Sequence, residues 1–140
     1  MASRDPKHLH PDLEPLFHRH LEIARSLGID LLLTDGYRSH EEQEILYQSG
    51  RTMPGSIRTY KRGGESAHNM RLPSGAPAAC AYDVAFVEER NASGKAVKVS
   101  WTGPWNTVAG IGMALGLEWG GLWQMRDRPH FQLPNWESRR

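Results

Sequence analysis

Apolar residues recur at three- and four-residue steps through positions 12–27, a spacing that predicts one amphipathic helix. Pro15 fits only in the first turn of that helix, and Gly28 stands where a helix C-terminal glycine belongs. The mostly apolar run 29–34 predicts a short buried strand, which the Asp35-Gly36 pair ends with a turn. The first quarter of the chain therefore predicts a helix followed by a strand.

A second helix is predicted over positions 40–49. Ser39 and Glu42 have the spacing of a capping box, in which the hydroxyl accepts the amide hydrogen three residues on and the carboxylate reaches back to the cap. Ile45 and Leu46 are the apolar residues of this helix, and we expect both to point inward.

The rest of the chain combines one long polar loop with short apolar segments. In order, these are a loop over 51–78, strands over 79–87 and 96–101 joined by a turn at 91–94, a helix from about 104 to 115, and a short strand over 130–133. A loop that long is uncommon in a compact domain unless it is functional. The order predicts an α+β fold with a small, largely antiparallel sheet and helices packed on it.

Composition narrows the classes of function. The 140 residues fit a single domain spanning 1–140. With 17 basic and 16 acidic residues, the net charge of +1 lacks the footprint of a nucleic-acid-binding protein. The single cysteine, Cys80, excludes an internal disulfide and is expected to be buried. No apolar run of about 18 residues would span a membrane, and residues 1–25 lack the apolar core of a signal peptide.

His68, Asp83 and His130 are metal-ligand residue types beside predicted strands. Catalytic zinc sites use three such ligands and leave one position for water. Two neutral imidazoles and one carboxylate would leave a divalent ion with a net charge of +1, which lowers the pKa of a bound water toward ~7. The three residues match no short zinc-binding motif, so ordinary core or surface roles stay open on residue type alone.

Two further residues fit catalytic roles. Asp127, three positions before His130, could take a proton from water as general base, although a turn aspartate between Arg126 and Arg128 fits the same pattern. Arg38 lies at a strand-to-helix corner, from which its guanidinium could clamp a carboxylate or a developing oxyanion. An ordinary surface arginine is the alternative.

The other histidines and the tryptophans fit no catalytic pattern. His40-Glu41 begins like a helical zinc-peptidase motif, but the residue four positions after His40 is Glu44 rather than histidine. The pairs expected on the surface are His8/His10 and His18/His20, and the aromatics expected as cleft wall or core are Trp119 and Trp123.

Several short motifs in a fixed order resemble the signatures of the LAS metallopeptidases, the group of D-Ala-D-Ala carboxypeptidases and dipeptidases and L-alanyl-D-glutamate peptidases. They are Gly36-Tyr37-Arg38-Ser39 with Glu42-Gln43, Leu46-Tyr47 and Gly50-Arg51-Thr52, then Ser66-Ala67-His68-Asn69, Ala81-Tyr82-Asp83, the run 116–123, and Asp127 with Pro129-His130-Phe131-Gln132. The motifs span roughly residues 32–133. The last two are similar to the L-alanyl-D-glutamate branch, which phage endolysins populate.

The resemblance implies a Hedgehog/DD-peptidase-like single domain. The zinc ligands that it implies are His68, Asp83 and His130. It further implies that Asp127 is the catalytic base and that Arg38 stabilises the oxyanion. Ser66 and Gln43 are implied to line the substrate cleft.

One segment departs from the family pattern. The first two implied ligands usually stand seven positions apart with a glycine between them, whereas this chain carries what resembles an eight-residue insertion at 71–78, with Ala79 in place of the glycine. The entropy of loop closure grows slowly with length, so the fold should tolerate the insertion. The insertion leaves the shape of the cleft rim and its effect on substrate choice open.

The resemblance predicts a zinc-dependent peptidoglycan hydrolase of the endolysin type, a monomer that cleaves the L-Ala–D-Glu bond of the stem peptide without binding nucleic acid or inserting into a membrane. Two alternatives stay open: a D-Ala-D-Ala carboxypeptidase, and a non-catalytic cell-wall-binding module with structural zinc. Asp127 and the lack of a fourth nearby ligand speak against the module. We expect no separate cell-wall-binding domain, synthesis in the cytoplasm without a signal peptide, and action on the cell wall after release in phage lysis.

Overall fold

Residues 1–139 are described by this computed structural model, which holds three α-helices and five β-strands. The helices are α1 (Glu14–Ser26), α2 (His40–Gln48) and α3 (Trp105–Ala114). The strands are β1 (Leu31–Asp35), β2 (Ala81–Arg90), β3 (Ala96–Ser100), β4 (Glu118–Trp119) and β5 (His130–Gln132). The predicted α+β class is confirmed. Within residues 1–139, no helix is both long and apolar enough to cross a bilayer.

The long strand β2 is the centre of the sheet. It pairs antiparallel with β1, with β5 near its start and with β3 near its end. The two-residue strand β4 pairs with β5, which gives the order β1-β2-β5-β4. Strand β4 was not predicted, because two residues carry no recognisable alternation.

Side-chain alternation in β2 and β5 separates the core from the opposite face of the sheet. Tyr82 and Phe131 are register partners, both fully buried, and their rings stack with centroids 5.9 Å apart. The next register pair, Asp83 and His130, points to the other face because successive side chains of a strand alternate. One face of the sheet therefore holds the core, and the other holds two ligand-type residues.

Helix α1 covers the core face. Its Phe17 packs edge-to-face on Tyr82, and its His20 packs edge-to-face on Phe131. His20 is fully buried: its Nδ1 accepts from the Tyr82 hydroxyl at 2.6 Å and its Nε2 donates to the Val108 carbonyl at 2.8 Å. The expectation that this histidine lies on the surface is wrong, because Tyr82 and Val108 supply the partners that a buried imidazole needs.

Burial also differs from expectation at two other positions. His10, expected on the surface, is buried, with its Nε2 3.1 Å from the carbonyl oxygen of Arg139. Ile45 is 62% exposed, and the buried residue of α2 is Gln43. Helix α2 buries an amide rather than an apolar stripe because the Arg38 guanidinium and the Lys61 carbonyl form hydrogen bonds with that amide.

Local signals are found as predicted. The capping box is formed, with the Glu42 amide donating to Ser39 Oγ at 3.1 Å and the Ser39 amide donating to Glu42 Oε1 at 2.9 Å. Gly28 ends the first helix with a φ of +80°, a conformation that favours glycine. Cys80 is buried, and burial raises the pKa of its thiol to about 11. The thiolate needed for nucleophilic chemistry is therefore disfavoured.

Candidate metal centre and active site

The sheet register brings chemistry-bearing residues together at one place. Asp83 of β2 is the register partner of Asp35 in β1 and of His130 in β5, so three adjacent strands contribute one row. His68 comes from a separate element, the 3-10 turn Ala67–Asn69, which Ser66 caps by accepting from the His68 amide at 3.2 Å. The long loop thus delivers the third ligand-type residue to the sheet.

His68, Asp83 and His130 form a tight triangle. The His68 Nε2 lies 3.3 Å from His130 Nδ1, and these nitrogens lie 3.5 Å and 3.1 Å from Asp83 Oδ1. All three side chains are largely withdrawn from solvent. Among the described residues, this is the group of histidine and acidic side chains whose donor atoms converge as a metal site requires.

Neighbouring groups fix which imidazole nitrogen faces the triangle. His68 Nδ1 donates to the Gly36 carbonyl at 2.7 Å, which leaves Nε2 with a free lone pair. His130 Nε2 donates to Gln132 Oε1 at 2.7 Å, which leaves Nδ1 with a free lone pair. Two lone pairs and a carboxylate pointing at one another repel unless a cation lies between them. The donor set therefore fits a divalent metal ion. In the absence of a metal ion, a proton shared among these atoms would relieve the same repulsion.

The electrostatics of the triangle agree with this arrangement. Burial alone would raise the pKa of Asp83, but His68 and His130 outweigh it and hold that pKa below its ordinary value. Burial opposes the imidazolium of His130, yet the hydrogen bond and charge of Asp83 keep the pKa of His130 above its ordinary value. The site is thus built to hold positive charge beside an ionised carboxylate.

Asp127 stands beside the triangle without being part of it. Its Oδ2 lies 3.9 Å from His130 Nδ1, and its side chain is about half exposed, at 47%. Burial and the nearby Asp83 raise the pKa of Asp127 above the ordinary value of a carboxyl. A carboxylate with a raised pKa at the edge of a cation site is suited to taking up a proton and returning it.

The segment that carries Asp127 is fastened by the preceding motif. The Asp127 amide donates to the Gly120 carbonyl at 2.9 Å, and the Trp119 indole donates to the Arg128 carbonyl at 2.7 Å. A Cβ on Gly120 would lie 2.4 Å from the carbonyl oxygen of Asp127, so this approach requires glycine. The Gly-Gly and tryptophan residues of the 116–123 motif thus position the carboxylate.

Arg38 points into the same site from the start of α2. Its guanidinium donates to Asp35 Oδ2 at 3.0 Å and to Gln43 Oε1 at 2.9 Å, and its side chain is 12% exposed. Of its five N–H donors, three are left for another ligand. Arg38 is close enough to Asp127 for its charge to lower the pKa of that carboxyl.

Gln43 differs from its expected place. It is 1% exposed and lies outside the cleft wall, because Arg38 occupies its Oε1 and the Lys61 carbonyl accepts from its Nε2 at 2.8 Å. Gln43 therefore holds Arg38 and the long loop in place and does not line the cleft. Ser66 lies on the cleft wall.

A cleft of about 1140 Å³ contains the whole cluster. Its wall includes Arg38, Ser66 and Asp127 together with the three triangle residues, and Trp123, whose ring lies 4.9 Å from that of His130. Residues 71–78 do not border it. They fold into a small loop of their own, closed by the Ala78 amide donating to the Met70 carbonyl at 2.9 Å. The insertion therefore lies outside the wall of this cleft.

Sequence reasoning overlooked three polar residues of the site. Asp35 pairs with Arg38, Gln132 contacts His130, and Glu118 in turn contacts Gln132. Asp35 had a signal, because it lies three residues before Arg38. Glu118 had none, because its place depends on the register of a two-residue strand.

Fold and site together define a class: an α+β protein in which a small antiparallel sheet carries a three-residue metal-ligand cluster beside a carboxylate and an arginine. This combination is typical of metal-dependent hydrolases. Residues 61–133 match the sequence model of a peptidase family described as D-alanyl-D-alanine carboxypeptidase. The chain belongs to this peptidase family, and the resemblance drawn from its motifs is confirmed.

Two relatives are similar along most of the chain. It is 36% identical over 137 residues to the peptidoglycan L-alanyl-D-glutamate endopeptidase CwlK of Bacillus subtilis (strain 168), covering 93% of this chain and 77% of that protein. Its fold is similar to the crystal structure of the L-Ala D-Glu endopeptidase ChiX of Serratia marcescens, with a TM-score of 0.51 and 23% identity over 95% of this chain and 88% of that one.

Proposed function

We propose that the protein is a zinc-dependent peptidoglycan peptidase that cleaves the L-Ala–D-Glu bond of the stem peptide. The observation that carries the proposal is the convergence of His68, Asp83 and His130 with Asp127 and Arg38 in one cleft. The 36% identity to a peptidoglycan L-alanyl-D-glutamate endopeptidase supports the choice of bond.

The size of the triangle supports zinc as the metal. Ligand atoms bound to a tetrahedral zinc at ~2.0–2.1 Å lie about 3.3 Å apart. The three edges here are 3.1, 3.3 and 3.5 Å. Zinc bound to His68, Asp83 and His130 would polarise the scissile carbonyl and make a water molecule acidic enough to attack at neutral pH.

The chain's own residues would carry the proton and the developing charge. Asp127 accepts a proton from the attacking water molecule while the oxygen of that water bonds to the carbonyl carbon. When the C–N bond breaks, Asp127 returns that proton to the leaving nitrogen, which becomes the free amine. Arg38, held by Asp35 and Gln43, directs its remaining N–H donors at the carbonyl oxygen as negative charge builds there.

Digestion of chemically defined muropeptides tests the proposal. Mass spectrometry of wild-type digests should show cleavage between L-Ala and D-Glu, whereas loss of a terminal D-Ala would assign a D-Ala-D-Ala carboxypeptidase instead. Asp127→Asn should lower kcat about 10²–10⁴-fold while zinc content is unchanged, because the side chain keeps its shape but not its basicity. His68→Ala should lose both zinc and activity.

Glu89→Gln is the matched control, because Glu89 is an exposed carboxylate outside the cleft. It should behave like the wild type. Undiminished turnover by Asp127→Asn would contradict the role of Asp127 as base. A wild-type protein that binds purified peptidoglycan and zinc but cleaves no muropeptide would contradict the peptidase proposal and favour a binding module.

We further propose that the protein acts as a monomeric lytic enzyme of the endolysin type, which reaches the cell wall after release from the cytoplasm. The motif 116–123 with Asp127 and His130, similar to the branch that phage endolysins populate, supports this proposal. Purified protein added to cells with a permeabilised outer barrier should lower culture turbidity, and Asp127→Asn should not. Equal lysis by the two proteins would contradict a lytic role for the site.

A further inference from the structure

A polar relay runs along the edge of the sheet behind the metal triangle. Gln132 Oε1 lies 2.7 Å from His130 Nε2, and Gln132 Nε2 donates to Glu118 Oε1 at 3.0 Å. Neither Gln132 nor Glu118 belongs to the triangle or has a role in the chemistry proposed above.

The strand geometry builds the relay. His130 and Gln132 are two residues apart in β5, so their side chains lie on the same face of the sheet. Glu118 in β4 is the direct register partner of Gln132, which places their side chains within reach of each other. The contact therefore follows from the pairing of β4 with β5.

The direction of each hydrogen bond is fixed from the outer end inward. An ionised carboxylate only accepts, so the amide NH2 of Gln132 must face Glu118. The amide oxygen of Gln132 consequently faces His130, and an oxygen there only accepts. His130 Nε2 must therefore carry its hydrogen, and Nδ1 is left as the atom that can bind a metal ion.

The opposite arrangement is available to His130 without the relay. Asp83 Oδ1 lies 3.1 Å from His130 Nδ1 and would itself accept a hydrogen from that nitrogen. A neutral imidazole with its hydrogen on Nδ1 has no lone pair facing His68 and Asp83. The hydrogen bonds that join Glu118, Gln132 and His130 disfavour that tautomer, because they require the hydrogen of His130 on Nε2.

We propose that Glu118 and Gln132 are positioning residues that, through a directed hydrogen-bond relay, commit His130 to metal binding through Nδ1. The inference rests on the proposed metal-dependent function. Partners of metal-binding histidines fix ring orientation and raise ligand basicity, and their loss commonly weakens metal binding about 10–100-fold. Gln132→Leu should weaken zinc binding by that factor, measured by competition with a chromophoric chelator.

A carboxylate in place of the Gln132 amide separates the relay from mere packing. Glu118→Leu should weaken zinc binding, because the Gln132 amide is then free to turn its NH2 toward His130. Gln132→Glu leaves only acceptor oxygens facing His130 Nε2, so zinc binding should stay at least as tight as in the wild type. The double variant Glu118→Leu/Gln132→Glu should therefore recover the affinity that Glu118→Leu alone loses.

A spectroscopic signature reports the relay without any turnover. In the zinc-loaded wild type, the His130 Nε2 hydrogen should give a 1H–15N correlation that exchanges slowly with water. That signal should broaden or vanish in Gln132→Leu. Gln124→Leu is the matched control, because Gln124 is exposed and does not border the cleft, and it should change neither the signal nor the affinity.

The outcomes distinguish this inference from the function on which it rests. Wild-type affinity and an unchanged signal in Gln132→Leu would overturn the relay while muropeptide cleavage stands. Zinc binding as weak in Glu118→Leu/Gln132→Glu as in Glu118→Leu alone would also overturn it, because an acceptor facing His130 Nε2 would then not be what secures metal binding. A wild type that binds no zinc and cleaves no muropeptide would overturn the proposed function itself. Should Gln132→Leu fail to fold, Glu118→Leu and the double variant decide the matter.

Discussion

Gly112 of α3 packs directly against Phe131, a residue of the strand that carries His130. A Cβ at Gly112 would lie 2.6 and 2.7 Å from two ring carbons of Phe131 and 3.0 Å from His20 Cε1. Non-bonded carbon atoms prefer ~3.5–4.0 Å, so Gly112→Ala forces the Phe131 ring to move by nearly 1 Å. Phe131 is fully buried, and overpacking of this kind costs about 1–3 kcal/mol.

Gly110 supplies the matched control in the same helix. A Cβ there meets nothing within 4 Å, so Gly110→Ala should stabilise the protein by about 0.5–1 kcal/mol through helix propensity alone. Both variants share that propensity gain. The difference between their unfolding free energies therefore isolates the packing cost, about 1–3 kcal/mol.

Urea denaturation measures this difference directly, because a change of midpoint at constant slope reports a change of stability. Phe131 lies between His130 and Gln132 in β5, so Gly112→Ala should also weaken zinc binding, whereas Gly110→Ala should not. Equal or greater stability of Gly112→Ala relative to Gly110→Ala would refute the packing argument. Unchanged zinc affinity in a destabilised Gly112→Ala would refute the coupling between core and metal centre.

Two further predictions concern pH and metal. Burial lowers the pKa of His20 below its ordinary value of 6.5, so the unfolded chain binds this proton at a higher pH than the folded protein does. The contribution of His20 to the free energy of unfolding should therefore be fully present above about pH 6.5 and should fall as the pH drops below it. His20→Leu should flatten that fall by up to roughly 1.4 kcal/mol per pH unit, and an unchanged slope in urea titrations would contradict it. Zinc at a hundred times its Kd should add about 2.7 kcal/mol of stability and raise Tm in the wild type, and an equal rise in His68→Ala would contradict binding at this triangle.

Features that depend on a few consecutive residues are predictable from the sequence of this protein. The capping box at Ser39 and Glu42 is formed, because both of its hydrogen bonds join residues three apart. The turn at Gly28 and the strand around Tyr82 follow in the same way from local conformation and alternation. Local patterns do not show which distant segments come together in the fold. The ordered motifs of the family do, because they mark the segments that form one site.

Whether a residue on a helix is buried depends on what packs against it. The local sequence therefore predicts the wrong burial at two positions. His20 is polar but fully buried, because the Tyr82 hydroxyl and the Val108 carbonyl satisfy both ring nitrogens. Ile45 is apolar but 62% exposed, because α2 turns Gln43 inward to hold Arg38 and the long loop. In both cases the partner lies far along the chain or belongs to a loop without periodicity.

The metal centre and the core of this protein lie on opposite faces of the same strand pair, β2 and β5. Tyr82 faces the helices and Asp83 faces the cleft, and β5 repeats the alternation with Phe131 and His130. A shift of β5 by one residue against β2 would turn His130 toward α1 and expose the Phe131 ring. Burial of that ring, worth ~1.5–3 kcal/mol, therefore selects the register that also aligns His130 with Asp83. A site assembled in this way needs no stabilising metal to form, so metal removal should abolish activity while the sheet stays folded.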